Sequence, residues 1–197
     1  MTRPHSPAAE RNREPILVVL RHWLPEGASV LEIGAGTGQH ARHFARGLDR
    51  VAWHPSEHPA ALDELRAGLT EDIDGLAEPV ALDVEAADWP TGPFDAVYSA
   101  NTAHIMHWPA VEAMFAGVCA VLRPGGVFVL YGPFRRNRVH HADSNAEFDR
   151  SLKQRDSGMG IRDLADLDEL GRRHDLEREA ELSMPANNHT LIFRKRG

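Results

Sequence analysis

The stretch Val30-Leu31-Glu32-Ile33-Gly34-Ala35-Gly36-Thr37-Gly38-Gln39-His40 decides the fold. An apolar run ends in glycines at every second position, and a helical pattern begins at once after them. Glycine tolerates positive φ and lets a ligand approach the backbone closely. The helix start adds N–H groups without intrahelical partners. A turn of this kind at the carboxyl end of a first strand is where α/β sheets bind nucleotides.

The spacing discriminates among nucleotide classes. A phosphate-binding G-x-x-x-x-G-K-[ST] loop needs a lysine, and there is none here. A dinucleotide turn needs G-x-G-x-x-G, but the sixth position counted from Gly34 is Gln39. Glycine falls at the fifth position, Gly38, and Glu32 stands two residues before Gly34. That pattern resembles the first motif of class I methyltransferases, which bind S-adenosylmethionine and release S-adenosylhomocysteine.

Outward from the turn, strand-type and helix-type segments alternate, as in a parallel sheet covered by helices. Strands are expected over residues 28–33, 50–54, 79–82, 94–99 and 127–131, and helices over 37–47, 59–69 and 109–122. Pro15 suits the first turn of a helix carrying Ile16, Leu17, Val19, Leu20, Trp23 and Leu24, and residues 8–14 could add a turn before it. Residues 123–126, Arg-Pro-Gly-Gly, should end the helix before the fifth strand. Residues 135–145 read as a polar loop, and 145–155 and 161–174 as helices. Two last strands, 176–182 and 190–195, are joined too tightly for a crossover helix and should pair antiparallel. The expected architecture is a Rossmann-like α/β fold: five alternating β/α units and a terminal hairpin in one seven-stranded, mostly parallel sheet with helices on both faces. One domain over 1–197 is expected, with an N-terminal cap region at 1–25 and acceptor-side helices within 135–175.

The bulk properties fit. The chain has 197 residues, 42% hydrophobic and 26% charged, the balance of a water-soluble globular domain. Its net charge of −7 argues against nucleic acid as main partner. Arg135, Arg136 and Arg138 form a local basic cluster or simply a solvated loop. The lone cysteine, Cys119, lies in an apolar run and reads as packing rather than nucleophile. No stretch is apolar over the roughly 20 residues of a membrane span, and no signal core opens the chain, so a cytoplasmic location is expected. His140 and His141 are adjacent and so share no face, and no second cluster has ligand spacing, so no metal site is expected.

An adenosine cofactor needs an acid for its ribose hydroxyls about 20 residues beyond the turn. Glu57 lies 19 residues after Gly38 and reads as that acid, its alternative being a solvated loop glutamate. Asp83, after the third strand, resembles the acid that methyltransferases place at the adenine amino group; its alternative is a turn or N-cap aspartate. Asn101, at the end of the fourth strand, faces the methionine end of the cofactor or shapes a turn.

Over nearly the whole chain, 6–193, a narrower resemblance appears. S-P-A-A-E-R-N-R-E-P-I-L, W-H-P-S-E, N-T-A-H-I, L-Y-G-P-F, S-N-A-E-F-D-R-S-L, G-I-R-D and M-P-A-N-N resemble the methyltransferase-like protein 26 family, a group of unknown function. The usual second-motif acid of that family is aspartate; here it is Glu57. The resemblance implies the class I fold and S-adenosylmethionine binding, and supplies no acceptor. Arg11 and Asn12 either belong to a segment folded over the cofactor, with the arginine on its methionine carboxylate, or open a surface helix.

The loops after the fourth and fifth strands and the last hairpin turn should form the acceptor pocket. His104 is the candidate general base, since imidazole titrates near neutrality, or else a packed or capping histidine. Tyr131 is a core residue or an acceptor contact. His107 and Asn145 are weaker acceptor candidates. Arg162 could hold an acceptor carboxylate or pair with a neighbouring aspartate such as Asp156. Asn187 and Asn188 either touch the acceptor or only form the turn. The leading expectation is methyl transfer to a small-molecule acceptor. A protein methyltransferase and a cofactor-binding protein without turnover are the alternatives, and a nicotinamide oxidoreductase is disfavoured by the glycine spacing.

Overall fold

The structure, a computed structural model, describes residues 5–197; residues 1–4 of the N-terminal cap region lie outside the described residues. Helix α1 (Pro7–Trp23) comes first, then β1 (Ser29–Ile33), α2 (Gln39–Gly47), β2 (Ala52–Glu57), α3 (Leu62–Gly68), β3 (Val80–Ala81) and β4 (Phe94–Ala100). Helix α4 (Trp108–Val121), β5 (Leu122–Gly132), β6 (Phe134–Arg135), α5 (Asp143–Arg155), β7 (Arg162–Asp163), α6 (Leu164–Arg173), β8 (Leu176–Met184) and β9 (Asn188–Lys195) complete the order. The main sheet has seven strands in the order β3-β2-β1-β4-β5-β9-β8. Strands β1 to β5 run parallel, and β9 pairs antiparallel with both β5 and β8. The expected sheet and terminal hairpin are therefore present.

Side-chain alternation splits the core into two layers, as expected for a sheet buried on both faces. Leu31, Val97, Phe128, Leu130 and Phe193 face α4 and α6, meeting Met114, Phe115, Val118 and Leu167. Their neighbours Val30, Ala96, Tyr98, Val127 and Val129 face α1 and α2, meeting Ile16, Leu20, Ala41 and Phe44.

Four local expectations are corrected. Residues 8–14 are helical as expected, but they put the start of α1 at Pro7, eight residues before Pro15: Ser6 caps the helix by accepting the Ala9 N–H at 3.3 Å, and Pro7 takes the first-turn position. Pro15 thus sits inside the helix, where its ring removes one internal hydrogen bond. Between β3 and β4 no helix forms among residues 82–93; the crossover is irregular because Pro90, Gly92 and Pro93 interrupt any helical run. Strand β5 starts at Leu122, opposite Phe94, and a register shift between Phe94 and Ala96 absorbs residues 123–126, which therefore bulge within the strand. Phe134 and Arg135 pair in parallel with Arg162 and Asp163, so the expected loop and the start of the expected 161–174 helix contain a small second sheet.

The order of the strands reverses between β1 and β4, which makes their shared carboxyl edge the topological switch point. Buried hydroxyls tie that edge together. Ser99 donates to the Ile33 carbonyl at 2.8 Å and lies 2.7 Å from Thr102 Oγ1, while Ser56 donates to the Glu32 carbonyl at 2.6 Å.

Candidate functional site

The three glycines of the turn all take positive φ: 71° at Gly34, 56° at Gly36 and 70° at Gly38. A Cβ on Gly34 would lie 2.6 Å from Thr102 Cγ2, so the β1 end and the β4 loop can meet this closely only with glycine there. A Cβ on Gly36 would meet nothing within 4 Å, because that face of the backbone looks into open space.

Gly36 also lines a cavity of about 460 Å³, within the range of roughly 300–1,000 Å³ typical of cofactor and small-molecule sites. It is lined by Gly34 and Gly36 from the turn, Glu57 and His58 from the β2 end, Asp83 and Glu85 after β3, and Asn101 and Thr102 after β4. Ile33, Leu82, Val84, Ile105 and Met106 supply apolar walls. Five residues expected at the cofactor, Gly34, Gly36, Glu57, Asp83 and Asn101, thus share one cavity. Glu57 accepts the Gly36 N–H at 2.7 Å and the His58 N–H at 2.8 Å. Asp83 accepts the Glu85 N–H at 3.0 Å, and its other oxygen lies 3.9 Å from His58 Nε2. Asn101 holds φ at 60° and donates its N–H to the Tyr131 carbonyl at 2.9 Å, a left-handed residue at the mouth of the site.

The remaining cofactor candidates lie elsewhere. Gly38 caps α2 and packs against Leu69. Glu32 points away from the cavity into the core and accepts the Trp53 indole N–H at 2.7 Å. Burial pushes its pKa up to about 8, the Trp53 bond opposing and the Glu57 charge adding to the effect, so this acid is protonated at neutral pH. Asn12 is buried and takes a hydrogen bond at 2.7 Å from His40 Nε2; His40 Nδ1 lies 3.1 Å from the Tyr98 hydroxyl. Burial lowers the His40 pKa to about 4. The neutral ring then donates through Nε2 to Asn12 and accepts from Tyr98, a buried chain that pins α1 onto α2 and β4. Ser6 N–H also reaches the Gln39 side chain, so the N-terminal helix docks beside the glycine turn.

A second cavity, about 530 Å³, adjoins the first through Asn101, which lines both. Arg11, His104, Asn145, Asn187 and Asn188 line it, with Phe148 and Pro133. Arg11, expected near the cofactor, lines this cavity instead. Asn145, only 6% exposed, donates to the Asn187 carbonyl at 3.0 Å and so ties α5 to the β8–β9 turn. In that turn Ala186 and Asn187 both have positive φ, and Asn188 donates to the Pro185 carbonyl at 3.2 Å, so the asparagines form the turn and line the cavity at once.

Several acceptor candidates change role. His104 is buried, and burial together with the Arg162 and Arg155 charges lowers its pKa to about 4, too weak for an efficient base at neutral pH. Its ring sits edge-on to Phe148. Arg162 pairs with no aspartate: it donates to the Ala103 carbonyl at 2.8 Å, to Met106 and to the Gly158 carbonyl at 3.1 Å, and lies 5.8 Å from the Trp108 ring centroid. It clamps the loop after β4. His107 is turned outward, 2.9 Å from Asp156, and lines neither cavity. Tyr131 is 3% exposed and faces the α1 layer, in contact with Asn12 and Asn188. Cys119 is half-buried against the α4 core. The Arg135–Arg138 cluster is neutralised: Arg136 meets Glu181 at 2.6 Å, Arg138 meets Asp166 at 2.9 Å and Arg135 meets Asp163 at 3.6 Å. Among the described residues there is no group of three potential metal ligands and no helix long and apolar enough to cross a membrane.

Thr102, His58, Phe148 and the His40–Tyr98 pair were not singled out in the sequence. Thr102 follows Asn101 directly, and that adjacency is the one signal that marked it.

Similar proteins share this architecture. The mitomycin 7-O-methyltransferase MmcR superposes with a TM-score of 0.78 at 17% identity, covering 95% of this chain and 54% of that one. PigF, solved with S-adenosylhomocysteine, superposes with a TM-score of 0.77 at 17% identity, covering 92% of this chain and 55% of its own. The fold is thus that of Rossmann-like class I methyltransferases. In sequence, the sterol 24-C-methyltransferase of Yarrowia lipolytica is 31% identical over 110 residues, which is 53% of this chain and only 27% of that enzyme. Over residues 3–195 the chain belongs to the family described as protein of unknown function (DUF938).

Proposed function

We propose that this protein is an S-adenosylmethionine-dependent methyltransferase of the methyltransferase-like protein 26 kind, acting on a small-molecule acceptor. The carrying observation is the 460 Å³ cavity that gathers Gly34, Gly36, Glu57, Asp83 and Asn101 at the switch point of the sheet. The fit rests on its chemistry. Gly36 opens its backbone to the cavity, and the Glu57 and Asp83 side chains offer acceptor oxygens for ribose hydroxyls and an adenine amino group. Apolar walls at Ile33, Leu82 and Val84 suit a purine face.

When bound, S-adenosylmethionine supplies a methyl group on a sulfonium, already activated for transfer. The chain then has to hold an acceptor in line and shield it from water. The second cavity, joined at Asn101, is the place for the acceptor. An acceptor hydroxyl or amine loses one proton as its heteroatom takes the methyl. His104, neutral at pH 7, accepts a hydrogen bond from that group and orients it, while the proton passes to solvent. One methyltransferase domain over 1–197 is the corresponding organisation, with an N-terminal cap region at 1–25 and acceptor-side helices within 135–175. The test is turnover: purified protein and methyl-tritiated cofactor are incubated with a small-molecule extract of bacterial cells. Label in a low-mass product supports the reading; label only in protein favours a protein methyltransferase, and none favours binding without transfer.

A further inference from the structure

The two cavities carry opposite charge. The first is lined by three carboxylates, Glu57, Asp83 and Glu85, against one imidazole, His58. Among the described residues, the second has Arg11 as its one charged residue and no carboxylate in its wall. This contrast stands out in a chain of net charge −7. Other arginines of the acceptor-side segment are engaged elsewhere: Arg135, Arg136 and Arg138 pair with acids, and Arg162 is spent on carbonyls. Arg11 is exposed and makes no ion pair with a described residue. Burial first, and then the Arg162 and Arg155 charges, depress the basicity of His104 in the same wall.

The site is also built. Asn145, more than nine-tenths buried, is locked to the β8–β9 turn at 3.0 Å. His104 is only 7% exposed, and no described residue hydrogen-bonds its ring nitrogens. Phe148, 39% exposed, gives the same cavity an aromatic face.

We infer that the second cavity selects acceptors that carry a carboxylate, paired with Arg11, on an aromatic or apolar body that lies against Phe148, with the group to be methylated at His104. The inference rests on the reading of the first cavity as the cofactor site. A single cation beside neutral amides matches a monoanion; a phosphate dianion asks for more positive charge than this wall holds. The planar guanidinium suits a carboxylate in two-pronged pairing.

The test is calorimetric. Protein saturated with S-adenosylhomocysteine is titrated with 4-hydroxybenzoate, salicylate, 3-(4-hydroxyphenyl)propanoate and 2-hydroxyhexanoate, each against its amide and against a phosphate analogue. At least one carboxylate should bind about tenfold more tightly than its amide, the size expected of one charge-assisted pair. Arg11→Met should erase that preference and Arg11→Lys should keep part of it, while S-adenosylhomocysteine affinity stays within about twofold. If no carboxylate outbinds its amide, or a phosphate analogue binds most tightly, the inference is wrong. It is equally wrong if Arg11→Met weakens S-adenosylhomocysteine but not 5′-methylthioadenosine, since Arg11 would then read the cofactor's own carboxylate. Should S-adenosylhomocysteine not bind at all, the cofactor reading fails on its own, and the same titrations on the unliganded protein still decide the charge preference of the cavity.

Discussion

The Glu57 carboxylate accepts the Gly36 N–H at 2.7 Å, joining the end of β2 to the middle of the glycine turn. The bond holds the carboxylate at the cavity wall with lone pairs to spare for a ligand. Glu57→Ala should weaken S-adenosylhomocysteine binding by roughly tenfold to a hundredfold, the loss expected for one or two hydrogen bonds to a charged group. Glu57→Gln, which still accepts the Gly36 N–H, should lose less. Calorimetry on folded protein reads both; an unchanged affinity in Glu57→Ala removes Glu57 from the site.

Gly34 and Gly36 should fail in different ways. Both have positive φ, which costs a side chain about 1–2 kcal/mol. A methyl at Gly34 also collides with Thr102, adding roughly 1–3 kcal/mol of overpacking. At Gly36 it collides with nothing, and Gly36 lines the cavity. Gly34→Ala should therefore show the larger loss in urea unfolding, and Gly36→Ala the larger loss of cofactor affinity relative to its stability. The reverse order would contradict the geometry.

Glu32 makes stability depend on pH in a direction unusual for a carboxylate. Its pKa stands at about 8 in the folded protein, chiefly through burial, against 4.5 as the ordinary value. Between those values the native state holds a proton that the unfolded chain has released, so this group's contribution falls as pH rises from about 4.5 through about 8. Glu32→Gln, which keeps an acceptor for Trp53, should flatten the decline. Unfolding midpoints of both proteins from pH 5 to 9 check it; parallel curves would show that Glu32 does not titrate there.

Asn12 should act on stability rather than on the cofactor. Asn12→Ala leaves the buried His40 Nε2–H without its acceptor, a loss of about 1–3 kcal/mol. The folded pKa of His40 near 4 lies below its ordinary 6.5, so the stability carried by the neutral ring is full above pH 6.5 and is lost as pH falls through 4. A lower melting temperature with unchanged S-adenosylhomocysteine affinity is expected. A weakened affinity at unchanged stability would return Asn12 to the cofactor.

The sheet was legible because β1, β4 and β5 are apolar on both faces, and the short β8–β9 link left only an antiparallel pairing. The cavity at the glycine turn was legible for a related reason: glycine spacing and the interval to Glu57 are local properties of the chain. What escaped depends on long-range contact. Whether Arg162 meets a ligand or the carbonyls of residues 103, 106 and 158 is set by how the loop after β4 folds back. Whether His104 is a base is set by burial and by two arginines more than fifty residues away in the chain. The two-residue pairing of β6 with β7 is too short to leave a periodic trace.

The central claim is that the cavity at the glycine turn takes S-adenosylmethionine. Its most direct test is calorimetric titration of the purified protein with S-adenosylmethionine, S-adenosylhomocysteine and NAD. Micromolar binding of the first two with no heat from NAD is the predicted result; binding of NAD, or of none of the three, would contradict it.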